Sequence, residues 1–126
     1  MFSHVMLGTN DIQAAKKFYD ACFTAIGGSE GSIDPKGRLM YVHNGSVFML
    51  TPPIDGEPAT CANGMTIGFA VDGEEMAKAW HAAGVANGGT AIEDAPGVRE
   101  GGGMKMYLAY LRDPDGHKIC VLKRMG

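Results

Sequence analysis

The chain has 126 residues and a net charge of −3 at pH 7, with 45% hydrophobic and 20% charged residues. This length fits one domain, and the composition is that of a globular protein. The negative charge argues against nucleic acid or an anionic membrane as a partner, because neither attracts an acidic protein. The N-terminus lacks the basic and apolar regions of a signal peptide, and no apolar run approaches the ~20 residues of a membrane span. We therefore expect a cytoplasmic protein with three reduced cysteines.

Two segments of similar pattern open the two halves of the chain. HVMLGTNDIQAAKKFYDACFTAIGG begins at His4, and TIGFAVDGEEMAKAWHAAGVANGG begins at Thr66. Each predicts an apolar strand, a polar cap, a helix with aromatic residues near its centre and a Gly-Gly stop. Asn10 is the expected N-cap of the first helix, with Gln13 completing a capping box. The second helix is expected to begin near Asp72.

Three short strands are predicted after each helix. In the first half they cover roughly residues 29–34, 38–43 and 46–51, and Asn44-Gly45 is a strong two-residue hairpin signal. In the second half they cover roughly residues 90–99, 105–112 and 117–123. The turns Asp34-Pro35-Lys36-Gly37 and Asp113-Pro114-Asp115-Gly116 precede the middle strand of the first half and the last strand of the second, and the latter suits a type I turn.

The repeated pattern predicts an α+β fold in a single domain over residues 1–126. Two βαβββ modules, 1–51 and 64–126, are joined by a Pro/Gly/Ala-rich linker over residues 52–63. Each module alone is marginal for an independent core. We therefore expect curved mixed sheets that pack together and enclose a cavity, with the helices on the outside.

Three stretches resemble a known family: HVMLGTNDIQAAKKFY at the start, TIGFAVD after the linker and AYLRDPDGHKICVL near the end. Together they resemble the vicinal oxygen chelate superfamily, which includes glyoxalase I, fosfomycin-resistance proteins, bleomycin-resistance proteins and extradiol dioxygenases. The resemblance covers essentially the whole chain and implies a homodimer. It does not decide the function, because this fold supports isomerases, transferases, dioxygenases and non-catalytic binders.

The resemblance also implies four possible metal-ligand positions, on the opening and closing strands of the two modules. They fall on His4, Met49, Thr66 and Cys120, where metal-using members commonly have His or Glu. Threonine is a poor ligand and a thioether a soft one, so we expect no divalent metal and no other cofactor. A divalent metal would need ligands elsewhere, whereas His4, Met49 and Cys120 together could suit Cu(I), which prefers soft ligands.

Two of these residues are candidate catalytic groups. Cys120 could act as a nucleophile if His4 lowered its pKa, although burial in an apolar pocket would raise the pKa and leave the thiol inert.

Arg99 could hold an anionic group near a glycine-rich loop. Tyr107 and Tyr110 lie three residues apart, so only one can face the cavity without a bulge, and the sequence leaves open which one. The candidate ligand-binding residues are His4, Met6, Met49, Thr66, Arg99, Tyr110 and Cys120.

Three functions follow from these residues. The leading one is binding of a small apolar or aromatic molecule without a divalent metal, as in bleomycin-resistance proteins. The second is a metal-dependent lyase, isomerase or thiol transferase of the glyoxalase I or fosfomycin-resistance type. The third is a cysteine-based enzyme that uses Cys120.

Overall fold

The computed structural model describes residues 1–126, with nine strands and two helices. The elements of the first module are β1 (Val5–Gly8), α1 (Ile12–Ala25), β2 (Ser32–Ile33), β3 (Leu39–His43) and β4 (Ser46–Thr51). Those of the second are β5 (Ile67–Ala70), α2 (Glu74–Ala86), β6 (Thr90–Ala91), β7 (Gly97–Gly101), β8 (Met104–Arg112) and β9 (Lys118–Met125). The second module has one more strand than predicted, because the irregular segment after α2 is split into β6 and β7.

Each module forms its own mixed sheet. Sheet 1 has the order β1-β4-β3-β2, and sheet 2 has the order β5-β9-β8-β6, with β7 also paired to β8. In both sheets the opening strand runs parallel to the closing strand, and the other pairs are antiparallel. The helices lie outside the sheets, and residues of both modules form one hydrophobic core. The predicted α+β fold of two related modules is confirmed.

The start of α1 differs from the prediction by one residue. Asp11 is the N-cap, and its Oδ1 accepts hydrogen bonds from the N–H groups of Gln13 and Ala14 at 3.1 and 3.0 Å. Asn10 instead holds the linker, exchanging hydrogen bonds of 2.7 and 3.1 Å with the backbone of Ala59. The predicted capping box is therefore wrong, because Asn and Asp are nearly equal as caps and the pattern alone cannot choose between neighbours.

Helix α2 begins next to Asp72, as predicted. Its N-cap is Gly73, and no side chain caps this helix. Glu74 and Glu75 lie in its first turn, where their negative charges interact favourably with the positive end of the helix dipole.

Strand β2 is much shorter than predicted because the backbone before it is bound elsewhere. The N–H of Gly31 donates to Asp20 Oδ1 at 2.8 Å instead of pairing with β3. Gly31 also lies against Tyr41, where an added Cβ would be 2.6 Å from the ring. This close approach explains why a glycine ends the loop.

The two helices pack closely against each other and against sheet 2 at Gly84. A Cβ added to Gly84 would lie 2.3 Å from Leu111 Cδ1 and 3.3 Å from Cys22 Sγ. Cys22 is buried, and its burial raises the pKa of the thiol to about 12. Cys22 therefore packs on the buried face of α1.

No helix of the structure is both long and apolar enough to cross a membrane.

Candidate functional site

The three candidate residues of the first module lie on the face of sheet 1 that points away from the helices. Met6 and Met49 are direct partners in the register of β1 and β4. His4 lies two residues before Met6, so alternation places it on the same side. The neighbouring residue Phe48 points to the opposite side and contacts Tyr19 of α1, with ring centroids 5.0 Å apart.

The other four candidates lie on the corresponding helix-free face of sheet 2. Cys120 pairs with Tyr110 across β9 and β8, and alternation adds Thr66 and Arg99 to this face. Tyr107 is buried on the opposite side in the common core. Of the two tyrosines, Tyr110 is therefore the one beside Cys120 on the helix-free face.

Two cations flank the ring of Tyr110. Lys118 Nζ is 5.0 Å and Arg99 Cζ is 5.9 Å from its centroid, within the range of cation–π attraction. Lys118 also forms an ion pair with Glu93. The helix-free face of sheet 2 is therefore charged and aromatic, whereas that of sheet 1 is apolar.

The guanidinium of Arg99 already has several partners. It donates to the backbone carbonyls of Asp94, Ala95, Gly97 and Leu108 at 2.9–3.2 Å. These bonds hold the segment between β6 and β7 against β8. The glycine run after Arg99 is a tight hairpin turn between β7 and β8, since Gly101 pairs with Met104.

A cavity of about 330 Å³ opens between the two modules, next to the edge strands β1 and β5. We call it the seam cavity. Aromatic side chains from both modules line it: Phe2, Phe23, Tyr41, Phe48 and Phe69. Its polar lining side chains are Ser3, His4, His43, Asn44 and Ser46. His4 is the only one of the seven candidate ligand-binding residues that lines the seam cavity.

Sequence reasoning missed most of this cavity because it assigned the site to the helix-free faces. The seam cavity instead reaches the helix side of the sheets, where Phe69 lies 5.4 Å from Phe23 and 5.3 Å from Phe48 between ring centroids. Strand alternation predicts that Phe48 points toward a helix. Alternation within a strand cannot predict that the edges of two separate sheets leave a gap there.

A second cavity, of about 410 Å³, lies between the linker and the beginning of β9. Thr66 lines it together with Cys61, Arg112 and Lys118. His4 and Thr66 thus line different cavities, and the remaining five candidates line neither. Within one chain the structure does not unite the seven predicted residues in one pocket.

The environment of Cys120 disfavours its thiolate. Only 5% of the residue is exposed, and burial raises the pKa of the thiol. The positive charge of Lys118 lowers this pKa in part, and the negative charge of Glu93 raises it. His4 lines the seam cavity and Cys120 does not, so the cavity offers no His4–Cys120 pair.

The residues at the four implied metal positions do not fit a divalent ion. No group of three or more His, Cys, Asp or Glu side chains is arranged to hold a metal. His4 is the only effective donor for such an ion among the four, since Met49 is a soft thioether, the Thr66 hydroxyl is a weak neutral donor and Cys120 is a protonated thiol.

Comparisons with known proteins agree with this fold. A family profile of the Glyoxalase/Bleomycin resistance protein/Dioxygenase superfamily matches residues 1–121. A crystal structure of a glyoxalase/bleomycin resistance protein from Albidiferax ferrireducens is similar over 97% of this chain and 98% of that one, with 52% identity and a TM-score of 0.93.

More distant structures share the fold. An enzyme of the glyoxalase/bleomycin resistance protein/dioxygenase family from Burkholderia phytofirmans matches with 21% identity and a TM-score of 0.73, covering 98% of both chains. A glyoxalase-related enzyme from Fulvimarina pelagi matches with 23% identity and a TM-score of 0.69, covering 97% of this chain and 87% of that one. No curated protein matches the chain. From its profile match and its 52% identical relative, the chain belongs to the glyoxalase/bleomycin resistance protein/dioxygenase superfamily.

Proposed function

We propose that the chain binds a small apolar or aromatic molecule in the seam cavity, without a divalent metal. The observation that carries this proposal is the aromatic lining of the cavity. Its volume of about 330 Å³ lies at the lower end of the range for small-molecule sites. Such sites combine apolar walls with a few polar groups, and here His4, His43 and Asn44 supply the polar groups.

The orientation of the two histidines favours a ligand with one polar group. His4 Nδ1 lies 2.8 Å from Ser3 Oγ, so its Nε2 is the atom left to meet a ligand. His43 Nε2 lies 3.2 Å from Asn44 Nδ2. A single aromatic ring with a hydroxyl or an N–H fits this lining better than a long or highly charged molecule.

A cavity-filling variant tests the location of the site. Ala70 lines the seam cavity and is exposed, whereas Ala82 is exposed on α2 away from it. We expect saturation-transfer NMR to detect phenol and indole on the wild-type chain and on Ala82→Phe. The signal should be lost in Ala70→Phe, because the new ring occupies the cavity. Equal binding to both variants would place the site elsewhere.

Elemental analysis tests the absence of a divalent metal. The chain should be purified without chelator and then incubated with Zn²⁺, Ni²⁺, Mn²⁺ and Fe²⁺. We expect far less than one ion per chain, since His4 is isolated from other hard ligands. Stoichiometric metal that disappears in His4→Ala would instead favour the metal-dependent lyase, isomerase or transferase.

A homodimer is the proposed assembly. The helix-free face of sheet 1 leaves Val42 60% and Met6 36% exposed. Large apolar side chains exposed on one face of a sheet are typical of a surface that binds another protein chain. Analytical ultracentrifugation of the wild-type chain and of Val42→Glu tests this, because a buried charge would dissociate the dimer. A monomeric wild-type chain at micromolar concentration would exclude the assembly.

The three free cysteines support the proposed cytoplasmic location.

A further inference from the structure

Two cations stand side by side in the second cavity, between the linker and the beginning of β9. Arg112 at the end of β8 is the register partner of Lys118 at the start of β9, so both side chains point to the same side of sheet 2. Both residues line the cavity, whose volume is about 410 Å³. Like charges directly opposite each other destabilise a sheet. A negative partner for this pair therefore stabilises the fold.

The chain itself supplies little negative charge to the pair. Lys118 forms an ion pair with Glu93, which does not line the cavity. Arg112 forms no ion pair with any carboxylate. No Asp or Glu is among the residues that line the cavity. The cavity therefore has an excess of positive charge, although the whole chain has a net charge of −3.

One hydrogen bond orients the guanidinium of Arg112 and leaves most of its donors available. Its Nη1 donates to the carbonyl oxygen of Gly116 at 2.7 Å, whereas a guanidinium has five N–H groups in a planar fork. This fork matches the oxygens of a phosphate or a carboxylate, and the ammonium of Lys118 adds a compact point charge. Arg112 is exposed, so a ligand can reach it.

We propose that the second cavity binds a small molecule through a phosphate or carboxylate group, held between Arg112 and Lys118. Neither cation occupies one of the four implied metal positions, and binding requires no metal. No residue lines both this cavity and the seam cavity. The proposal therefore does not depend on the proposed function.

Cys61 is a natural reporter inside the same cavity. A Cβ added to Gly116 would lie 3.4 Å from Cys61 Sγ, and the carbonyl oxygen of Gly116 binds Arg112, so the thiol and the guanidinium meet at one residue. Cys61 is exposed, whereas the other two cysteines are buried. An alkylating reagent therefore reaches Cys61 first, and the effect of the reagent's charge on the rate reports the charge of the cavity.

Alkylation of Cys61 by anionic iodoacetate and by neutral iodoacetamide tests this charge. Both reagents attack the same thiol, so the ratio of the two rates cancels any change in the thiol itself. We expect Arg112→Gln and Lys118→Gln each to lower the iodoacetate-to-iodoacetamide ratio about threefold to fivefold, as expected for the loss of one unit charge about 4–6 Å away in water. Lys105→Gln is the matched control: it removes an exposed positive charge at the other end of β8 and should keep the wild-type ratio.

Titration with inorganic phosphate and with succinate, followed by amide NMR of the wild-type chain, tests binding directly. We expect at least one of them to bind with a millimolar or lower Kd and to shift the signals of Gly64 and Gly116, which line the cavity. High salt should weaken this binding, because it screens exposed charges. A response to phosphate alone identifies a phosphate group as the part of the ligand that is recognised, and a response to succinate alone identifies a carboxylate.

Two results would overturn the proposal. One is that neither anion shifts the signals of Gly64 and Gly116 at millimolar concentration. The other is that the double variant Arg112→Gln/Lys118→Gln keeps the wild-type ratio of the two alkylation rates. Phenol binding by the same double variant, measured as described for the seam cavity, shows separately whether the proposed function holds.

Discussion

A pair of tyrosine-to-phenylalanine variants tests how much each tyrosine hydroxyl stabilises the fold through its hydrogen bond to an aspartate. Tyr19 donates to Asp113 Oδ2 and Tyr41 donates to Asp20 Oδ1, both at 2.7 Å. Asp113 is only 3% exposed, whereas the side chain of Asp20 is 19% exposed. Each variant removes one hydroxyl and keeps the ring, so the two differ mainly in the environment of the carboxylate.

The expected cost is larger for Tyr19→Phe. A hydrogen bond to a charged, buried group contributes about 1.5–3 kcal/mol, and its loss leaves Asp113 with only the two backbone donors of its turn. Asp20 keeps stronger partners after Tyr41→Phe, namely the N–H of Gly31 at 2.8 Å and Lys16 Nζ at 2.6 Å. We expect about 2–3 kcal/mol for Tyr19→Phe and about 1 kcal/mol for Tyr41→Phe.

The free-energy penalties of the two variants should also respond differently to acid. Burial raises the pKa of Asp113 above 3.8, and the bonds from Tyr19 and from His117 oppose this only in part. A carboxyl with a raised pKa in the folded state costs stability as pH rises through that pKa, and the cost disappears below its unfolded pKa. Losing the Tyr19 hydroxyl raises the pKa of Asp113 further. The penalty of Tyr19→Phe should therefore shrink as Asp113 becomes protonated.

The pKa of Asp20 is shifted in the opposite direction to that of Asp113. Burial raises its pKa, but hydrogen bonds from Gly31, Lys16 and Tyr41 outweigh this, and the pKa lies below 3.8. Its contribution is present above the unfolded pKa and is lost only as pH falls through the lower folded value. The penalty of Tyr41→Phe should therefore stay nearly constant between neutral pH and about pH 4.5.

Urea unfolding followed by circular dichroism measures both free energies of unfolding across this pH range. Tyr41→Phe serves as the control for the loss of a tyrosine hydroxyl. If both variants lose the same stability at neutral pH, burial does not decide the strength of these bonds. If the penalty of Tyr19→Phe stays constant on acidification, the raised pKa of Asp113 is wrong.

Two further predictions concern packing and thiol reactivity. Gly84→Ala should destabilise the chain by about 1–3 kcal/mol despite the higher helix propensity of alanine, because the new Cβ would lie 2.3 Å from Leu111 Cδ1. Thermal unfolding measures this, with Gly101→Ala as the control, since a Cβ added to Gly101 meets nothing within 4 Å. In the native chain, iodoacetamide should modify exposed Cys61 and leave Cys22 and Cys120 unmodified, because burial raises the pKa of both thiols. Mass spectrometry of tryptic peptides reports this, and early modification of Cys120 would favour the cysteine-based enzyme.

Local rules predicted the elements best where turn chemistry sets the register. Strand β4 matches its predicted bounds, Ser46–Thr51, because Asn44-Gly45 takes the positive φ values that a tight hairpin requires. Alternation along the strands likewise places all seven candidate residues on helix-free faces. The seam cavity was not predictable in this way, because it depends on how the two modules pack, and that packing is set by contacts between distant residues such as Gly84 and Cys22.

The two Asp-Pro-X-Gly turns show how one local motif takes on a long-range role. In both turns the first aspartate accepts through Oδ1 from the N–H groups two and four residues later, at 2.9–3.0 Å. The turns differ in the partner of the other oxygen. Asp34 Oδ2 binds Arg38 within its own turn, whereas Asp113 Oδ2 accepts from Tyr19 of the other module.

Two more contacts join the second turn to the first module. His117 Nε2 lies 2.7 Å from the carbonyl oxygen of Gly8, and the N–H of Asn10 donates to Asp115 Oδ1 at 2.9 Å. The DPDG stretch lies in one of the three segments that resemble the family, and its side chains hold the modules together rather than face either cavity. The resemblance at this turn therefore identifies the fold for a structural reason.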